Sequence, residues 1–336
     1  MININNRRYI GSKYKLLGNI EDAVIKYYGP EKCTIADLFA GTGVVAEYFG
    51  RQGYDIIVND ILNSNYVAYN AWMGKEEVDV EKIENEIEKL NQVSADTLPH
   101  NYFSDIYSSK YFAVNDAKKI GYIRDYIEEN KARFNQREHD ILVTSLMYEA
   151  DKIANTVGHF ESYLRKVPEE KGVQLRMLEL SQYEDVAIYK EDANSLVRKI
   201  SCDIAYVDPP YNARQYINFY HVLENLVNWD KPTEFEGDSM KFKRNHLKSG
   251  YSQSKAPALF RDLINHLNCR LIIVSYNNTY NANSIASNNK IQENELIDIL
   301  KSKGNVHIEE FNYKYFNSGK TNFDNHKEKL YICEVE

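Results

Sequence analysis

The stretch Cys202-Asp203-Ile204-Ala205-Tyr206-Val207-Asp208-Pro209-Pro210-Tyr211 constrains this chain more than any other. Its apolar, partly β-branched and aromatic run reads as a buried strand. The run ends in an acid, two prolines and a tyrosine. Neither proline donates a backbone hydrogen bond and each fixes its own φ, so the strand stops there in a rigid, extended turn. Open α/β sheets bind ligands at the carboxyl ends of their strands. The corner therefore presents a carboxylate, two stiff carbonyls and an aromatic face, which suit a planar, nitrogen-bearing substrate. Asp208 and the Pro209 carbonyl can accept both protons of an exocyclic amine while Tyr211 stacks on the ring.

Upstream, Thr34–Phe39 reads as a strand, Ala40-Gly41-Thr42-Gly43 as a turn and Val44–Gly50 as a helix. A second strand, Asp55–Val58, closes on Asn59-Asp60, which completes a βαβ unit. Glycines in such a turn let a ligand approach the backbone, although a bare tight corner needs them too. Ala46 stands where the third glycine of a dinucleotide fingerprint falls, and that fingerprint tolerates alanine. Asp60 suits two ribose hydroxyls or the cap of the following helix, and the glycine turn beside it favours the ribose. Asp192 suits the N-cap of a short helix over Ala193–Lys199 at least as well as a ligand.

The remaining pattern is α/β with an interruption. An amphipathic helix (Leu16, Leu17, Ile20, Val24) follows Arg8-Tyr9-Ile10-Gly11-Ser12-Lys13 and ends near Gly29-Pro30. Between 75 and 183 the chain shows charged helical segments (Glu76–Gln92, Asp116–Glu129, Gln136–Asn155), polar loops and no strand alternation. Strand and helix alternation resumes at Val186–Tyr189. It continues through a helix over 217–228, a basic loop over 230–256, a helix over 258–267 and a strand at Leu271–Val274. The tail gives a helix, Gln292–Lys303, and strands Val306–Phe316 and Leu330–Val335, joined by the turn-rich Asn317-Ser318-Gly319-Lys320.

No apolar run reaches membrane-spanning length and the first residues lack the apolar core of a signal peptide, so a cytoplasmic location is expected. The four cysteines are far apart without a CxxC, which points to reduced thiols and to no metal site. A net charge of −8 weighs against nucleic acid unless the cations are clustered. They are: Ser239–Arg261 holds Lys241, Lys243, Arg244, Lys248, Lys255 and Arg261 and no acid. Arg7, Arg8, Lys13 and Lys15 form a second group, and Lys131, Arg133 and Arg137 a third. Any one of them taken singly reads as a solvated face. Lys241, Lys243, Arg244 and Lys248 are the residues expected to clamp phosphates.

The set Tyr9-Ile10-Gly11-Ser12-Lys13, Asp37-Leu38-Phe39-Ala40-Gly41-Thr42-Gly43, Asn59-Asp60 and Asp208-Pro209-Pro210-Tyr211 resembles the D12-class DNA adenine-N6 methyltransferases, in the branch with adenine methylases of type IIS restriction–modification systems. Asn155-Thr156-Val157-Gly158-His159-Phe160, Tyr211–Tyr216 and Ser275-Tyr276-Asn277 share in the likeness. It covers nearly the whole chain, least over 75–135. The motif order resembles the α arrangement of amino-methyltransferases. The resemblance implies a Rossmann-like seven-stranded methyltransferase sheet formed by 1–74 and 184–336, with 75–183 as a mostly helical target-recognition insertion. It also implies S-adenosylmethionine as cofactor and double-stranded DNA as partner, with a cognate restriction endonuclease acting separately. By the same likeness Tyr9, Ser12 and Lys13 line the methionine end of the cofactor. Asp37, Phe39, Ala40, Gly41 and Gly43 form the main-chain turn, Asp60 and Ile61 hold the ribose, and Asp192 and Ala193 hold the adenine, with Asp208 at the reacting end.

On this reading Asp208 and the Pro209 carbonyl hold the amine of a flipped adenine and localise its lone pair, without a covalent enzyme intermediate. The ring of Tyr211, rather than its hydroxyl, is expected to matter. The alternatives left open are an RNA adenine methyltransferase and a recognition subunit that binds cofactor without catalysis. A protein glutamine methyltransferase fits less well, because that type usually has Asn where this chain has Asp208. A dinucleotide oxidoreductase leaves Asp208–Tyr211 unexplained.

Overall fold

The run Ile204–Val207 is buried along its whole length inside a seven-stranded sheet in the computed structural model, which describes residues 1–279, 288–312 and 327–336. In chain order the elements begin α1 (Leu17–Tyr27), β1 (Thr34–Asp37), α2 (Val44–Arg51) and β2 (Asp55–Asn59). Five helices follow: α3 (Asn63–Met73), α4 (Val80–Asn91), α5 (Tyr102–Tyr107), α6 (Val114–Glu129) and α7 (Gln136–Ile153). Then come β3 (Val186–Tyr189), α8 (Ala193–Leu196), β4 (Ile204–Val207), α9 (Tyr216–Asn228), and the short strands β5 (Phe235–Glu236) and β6 (Lys241–Phe242). The described chain closes with α10 (Ala256–His266), β7 (Leu271–Asn277), α11 (Glu293–Lys301), β8 (Gly304–Asn312) and β9 (Lys327–Val335).

Two compact units result. One comprises 13–61, 183–216 and 247–336 and contains the whole large sheet, in the order β3-β2-β1-β4-β7-β9-β8. The first five strands of that order are parallel, and β9 runs antiparallel to both β7 and β8. The central strands are covered on both faces, so β4 and β7 are buried at every position and read as continuous apolar runs without alternation. From β1 the chain builds outward through β2 to β3, then returns to lay β4 on the other side of β1. This is the switch point where a parallel sheet opens a crevice at its carboxyl edge. Asp37 pairs in register with Tyr206, so the ends of β1 and β4 stand side by side there.

The second unit comprises 1–12, 62–182 and 217–246 and is mainly helical. It takes in the 75–183 stretch, and also α3, α9 and the β5–β6 ribbon, which the sequence places outside that stretch. Helix α3 is buried on nearly all sides and packs on α7. Its first turn is capped from a distance, by the buried carboxylate of Glu224 accepting from the amides of Asn63 (2.8 Å) and Ser64 (2.9 Å). Leu62 holds the N-cap position, so Asp60 does not cap this helix. The end of α9 is closed by Arg124, whose guanidinium donates to the carbonyls of Leu226 (3.0 Å) and Val227 (3.1 Å).

The expected strands and helices fall within a few residues of the observed ones. The basic loop over 230–256 differs, since it contains the antiparallel β5–β6 pair. The strand expected over 306–316 is described as far as Asn312, where it pairs with Lys327. The Asn317-Ser318-Gly319-Lys320 link lies outside the described residues.

Candidate active site

The corner after β4 is held from several directions within the sheet unit. Asp208 Oδ2 lies 2.6 Å from Lys13 Nζ, with the two side chains 15% and 7% exposed. Asp208 Oδ1 accepts from the Tyr211 hydroxyl at 2.6 Å. Burial raises the Asp208 carboxyl above its ordinary range, while Lys13 and the Tyr211 hydroxyl pull it back down and Glu328 on β9 adds repulsion. The same Lys13 ammonium sits 5.1 Å from the centroid of the Tyr211 ring. The main chain of Tyr211 is fixed as well, its carbonyl accepting from the Lys290 amide (2.7 Å) and the Tyr276 hydroxyl (3.2 Å).

Beside this corner, at the end of β1, Asp37 is 1% exposed, and no side chain donates a hydrogen bond to its carboxylate. Burial pushes it well above the ordinary carboxyl range, and repulsion from Asp208 and Asp60 adds to that. The Ala46 amide and Lys13 oppose the rise. Burial of this kind favours the protonated form of the carboxyl, and a cation brought beside it would favour the carboxylate.

The glycine turn follows directly. Gly41 and Gly43 take φ values of +55° and +83°, where a side chain is disfavoured. The turn is closed by Gly43 N–H donating to the Ala40 carbonyl (2.8 Å) and Ala40 N–H to the Asn59 carbonyl (3.0 Å). Asp60 Oδ2 accepts from the Gly41 amide at 3.0 Å, so this acid buttresses the turn. Asn59, which sequence reading noted without a role, is buried and donates to the carbonyls of Leu38 (3.0 Å) and Glu191 (3.1 Å). It thereby ties the glycine turn to the segment carrying Asp192. Asp192 caps α8 by accepting from the Ser195 amide (3.1 Å), which bears out the capping alternative. Phe39 and Ile61 are half-buried, and the Phe39 ring meets the buried Tyr251 edge-on at 5.0 Å.

With this geometry in place, the sequence model described as D12 class N6 adenine-specific DNA methyltransferase matches residues 9–272. The chain belongs to that family. Modification methylase StsI of Streptococcus sanguinis is 34% identical over 330 residues, covering 93% of this chain and 49% of the relative. Type II methyltransferase M.FokI of Planomicrobium okeanokoites is 32% identical, covering 88% and 47%. Type II methyltransferase M.NlaIII of Neisseria lactamica is 30% identical and matches end to end, covering 97% and 98%. The chain thus spans about half the length of the first two relatives and nearly all of the third.

Of the residues expected at the site, Tyr9, Ser12, Lys241, Lys243 and Arg244 lie in the helical unit, whereas Lys13 and Lys248 belong to the sheet unit. Tyr9 stacks on Tyr220 with centroids 4.7 Å apart and planes 6° from parallel. The Tyr220 hydroxyl accepts from the Ile10 amide (2.7 Å), and Asp151 accepts from the Arg8 amide (2.8 Å). Ser12 closes that segment by donating its amide to the Tyr9 carbonyl at 3.4 Å. The four cations expected to clamp phosphates do not share one environment. Arg244 is buried, donating to Asn218 (2.7 Å), the Phe242 carbonyl (3.0 Å) and Glu236 (3.1 Å). Its guanidinium is used to hold the β5–β6 ribbon, not displayed to solvent. Lys241 is half-buried against Glu161 at 3.4 Å, while Lys243 and Lys248 are exposed.

Among the described residues no group of three or more His, Cys, Asp or Glu is arranged to hold a metal ion. No described helix is long and apolar enough to cross a membrane.

Proposed function

We propose that this chain transfers a methyl group from S-adenosylmethionine to the exocyclic N6 amine of a flipped adenine in a specific double-stranded DNA sequence. The setting is cytoplasmic, as the modification arm of a restriction–modification system whose nuclease acts separately. In this reading 1–74 and 184–336 form the catalytic domain and the helical 75–183 recognises the target. The observation that carries it is the contrast between two neighbouring carboxyls. Asp208 is ion-paired and ready to accept a hydrogen bond, while Asp37 is buried beside it with no side-chain donor.

The Asp37 condition fits the cofactor. A buried carboxyl that no side chain donates to, next to a backbone turn, is a place for a cationic ligand, and S-adenosylmethionine is cationic at its sulfonium and its ammonium. Asp37, Phe39, Ala40, Gly41 and Gly43 would hold it, with Asp60 and Ile61 towards the ribose and Asp192 and Ala193 towards its adenine. Tyr9, Ser12 and Lys13 complete the methionine end. When bound, the cofactor supplies a methyl group on a positively charged sulfur.

The rest of the chemistry belongs to the chain. The lone pair of an adenine amine is delocalised into the ring. Asp208 and the Pro209 carbonyl, accepting its two N–H bonds, localise that lone pair and aim it. Lys13 opposes the effect of burial on Asp208 and so favours its ionised, accepting form. Pulling the base out of the duplex costs about a few kcal/mol. Stacking on Tyr211 returns roughly 1–3 kcal/mol of that.

The test is transfer of a tritiated methyl group to duplex DNA, RNA and protein assayed side by side. Label in DNA adenine is expected, and Asp208→Ala should lower kcat at least a hundredfold, the order found when a key acceptor or donor is removed. Cofactor binding should survive that change. Full activity in the variant, or label only in RNA or protein, refutes the reading.

A further inference from the structure

We propose that Tyr276, a residue with no part in the scheme above, is a positioning residue for methyl transfer, acting on the Asp208–Tyr211 corner through the main chain of Tyr211. The inference rests on the proposed DNA adenine methylation.

The corner has an intrinsic weakness. Pro209 and Pro210 have no N–H, so the segment that must hold Asp208 in place cannot anchor itself by donating to a neighbouring strand. Something else has to fix the chain where the side chain of Tyr211 reaches back to Asp208. Strand β7 supplies it. This strand is paired on both sides, parallel to β4 and antiparallel to β9, and Tyr276 itself pairs with Lys329. Val274 is in register with Val207, the last residue of β4, so Ser275 and Tyr276 continue β7 just where β4 gives way to the corner.

Tyr276 is fully buried, and its hydroxyl does two things. It donates to the Tyr211 carbonyl (3.2 Å) and accepts from the Ile291 amide (3.3 Å). Its ring lies against that of Tyr211, with centroids 4.6 Å apart and planes tilted by 56°. Lys290 donates its amide to the same carbonyl at 2.7 Å. One carbonyl thus receives two donors, and one hydroxyl joins the corner to the 290–291 segment. A tyrosine kept only to fill the core would satisfy its hydroxyl on any nearby acceptor. Here the acceptor is the main chain of the residue whose own hydroxyl sits 2.6 Å from Asp208 and 3.4 Å from Ser275 Oγ. A loosened Tyr211 carbonyl moves the Tyr211 hydroxyl, and with it the oxygen meant to receive the amine. Displacements of about 1 Å at a reacting centre can cost on the order of a hundredfold in rate.

The variant is Tyr276→Phe, which keeps the ring and deletes the hydroxyl. Against wild type, with tritiated methyl transfer to duplex DNA, kcat should fall about tenfold. Cofactor Kd and the KM for DNA should stay within about twofold. The acid limb of the kcat profile should also move to higher pH. Asp208 is faced by Lys13 ahead of α1, Asp37 on β1, Glu328 on β9, and Tyr206 and Tyr211 on its own segment, and only the Tyr211 donor is loosened. A merely structural role would lower the melting temperature and leave that limb in place. Wild-type kcat and an unmoved limb in Tyr276→Phe overturn the inference while the proposed function stands. Absence of label from the wild-type lane overturns both.

Discussion

At Tyr211 the ring and the hydroxyl have separate tasks. The ring offers a stacking face, and the hydroxyl donates to the carboxylate oxygen nearest it. A hydrogen bond to a charged group contributes roughly 1.5–3 kcal/mol. Tyr211→Phe is therefore expected to lower kcat about tenfold, against the expectation from sequence that it would cost little, and Tyr211→Ala should cost more. Steady-state methylation of duplex DNA by the two variants checks this. Asp37 gives a second test, on stability. Its folded pKa is raised by burial, so stability falls as pH climbs from the ordinary Asp range towards the raised value. Asp37→Asn should remove that slope, raise the melting temperature at pH 7 and abolish cofactor binding. Calorimetry and thermal melts at several pH values read all three. The acid, the prolines and the glycines were legible because each is needed for a local backbone reason. The contact of Lys13 with Asp208 was not, since nothing local to either residue announces a partner so distant in sequence.

The elements divide along the same line. The central strands could be read because doubly covered parallel strands are continuous β-branched runs, and α4, α6 and α7 because their apolar positions repeat with the helical period. Helix α3 had no boundaries in the sequence. Ser64, Asn65, Val67, Ala68, Tyr69, Ala71, Trp72 and Met73 are all buried, so it has no polar stripe, and its cap is a glutamate on another helix. Helix α5 is too short to carry a period, and the β5–β6 strands are two residues each. The remote cap makes a stability prediction. Glu224→Ala leaves one buried amide and one half-buried amide without an acceptor and should cost about 2–3 kcal/mol, with Glu224→Gln costing less because one acceptor oxygen remains. Denaturant titration of the two variants measures the difference.

On the scale of the whole chain, a net charge of −8 is compatible with a DNA substrate only if uncompensated cations remain at the surface. Most members of the clusters visible in the sequence have partners within the chain. Arg7 is buried, Arg8 pairs with Asp151, Lys13 with Asp208, Lys131 with Glu128 and Arg133 with Glu86, while Arg137 donates to the carbonyls of Ala71, Trp72 and Glu76. Arg244 is likewise consumed by its own ribbon. The phosphate-clamp proposal therefore narrows to Lys243 and Lys248. Each phosphate contact contributes about 0.9 to the slope of log K against log salt, because binding releases a condensed counterion. Replacing both lysines by Gln should flatten that slope by roughly two and leave the melting temperature unchanged. Arg244→Ala should do the opposite, lowering the melting temperature and leaving the slope as it was, because its charge is already neutralised by Glu236. Fluorescence titrations of a duplex from low to physiological salt, run beside thermal melts, separate the two behaviours. If Arg244→Ala flattens the slope as much as the lysine pair does, the guanidinium leaves its buried seat to meet the phosphates, and the assignment of Arg244 to the fold is wrong.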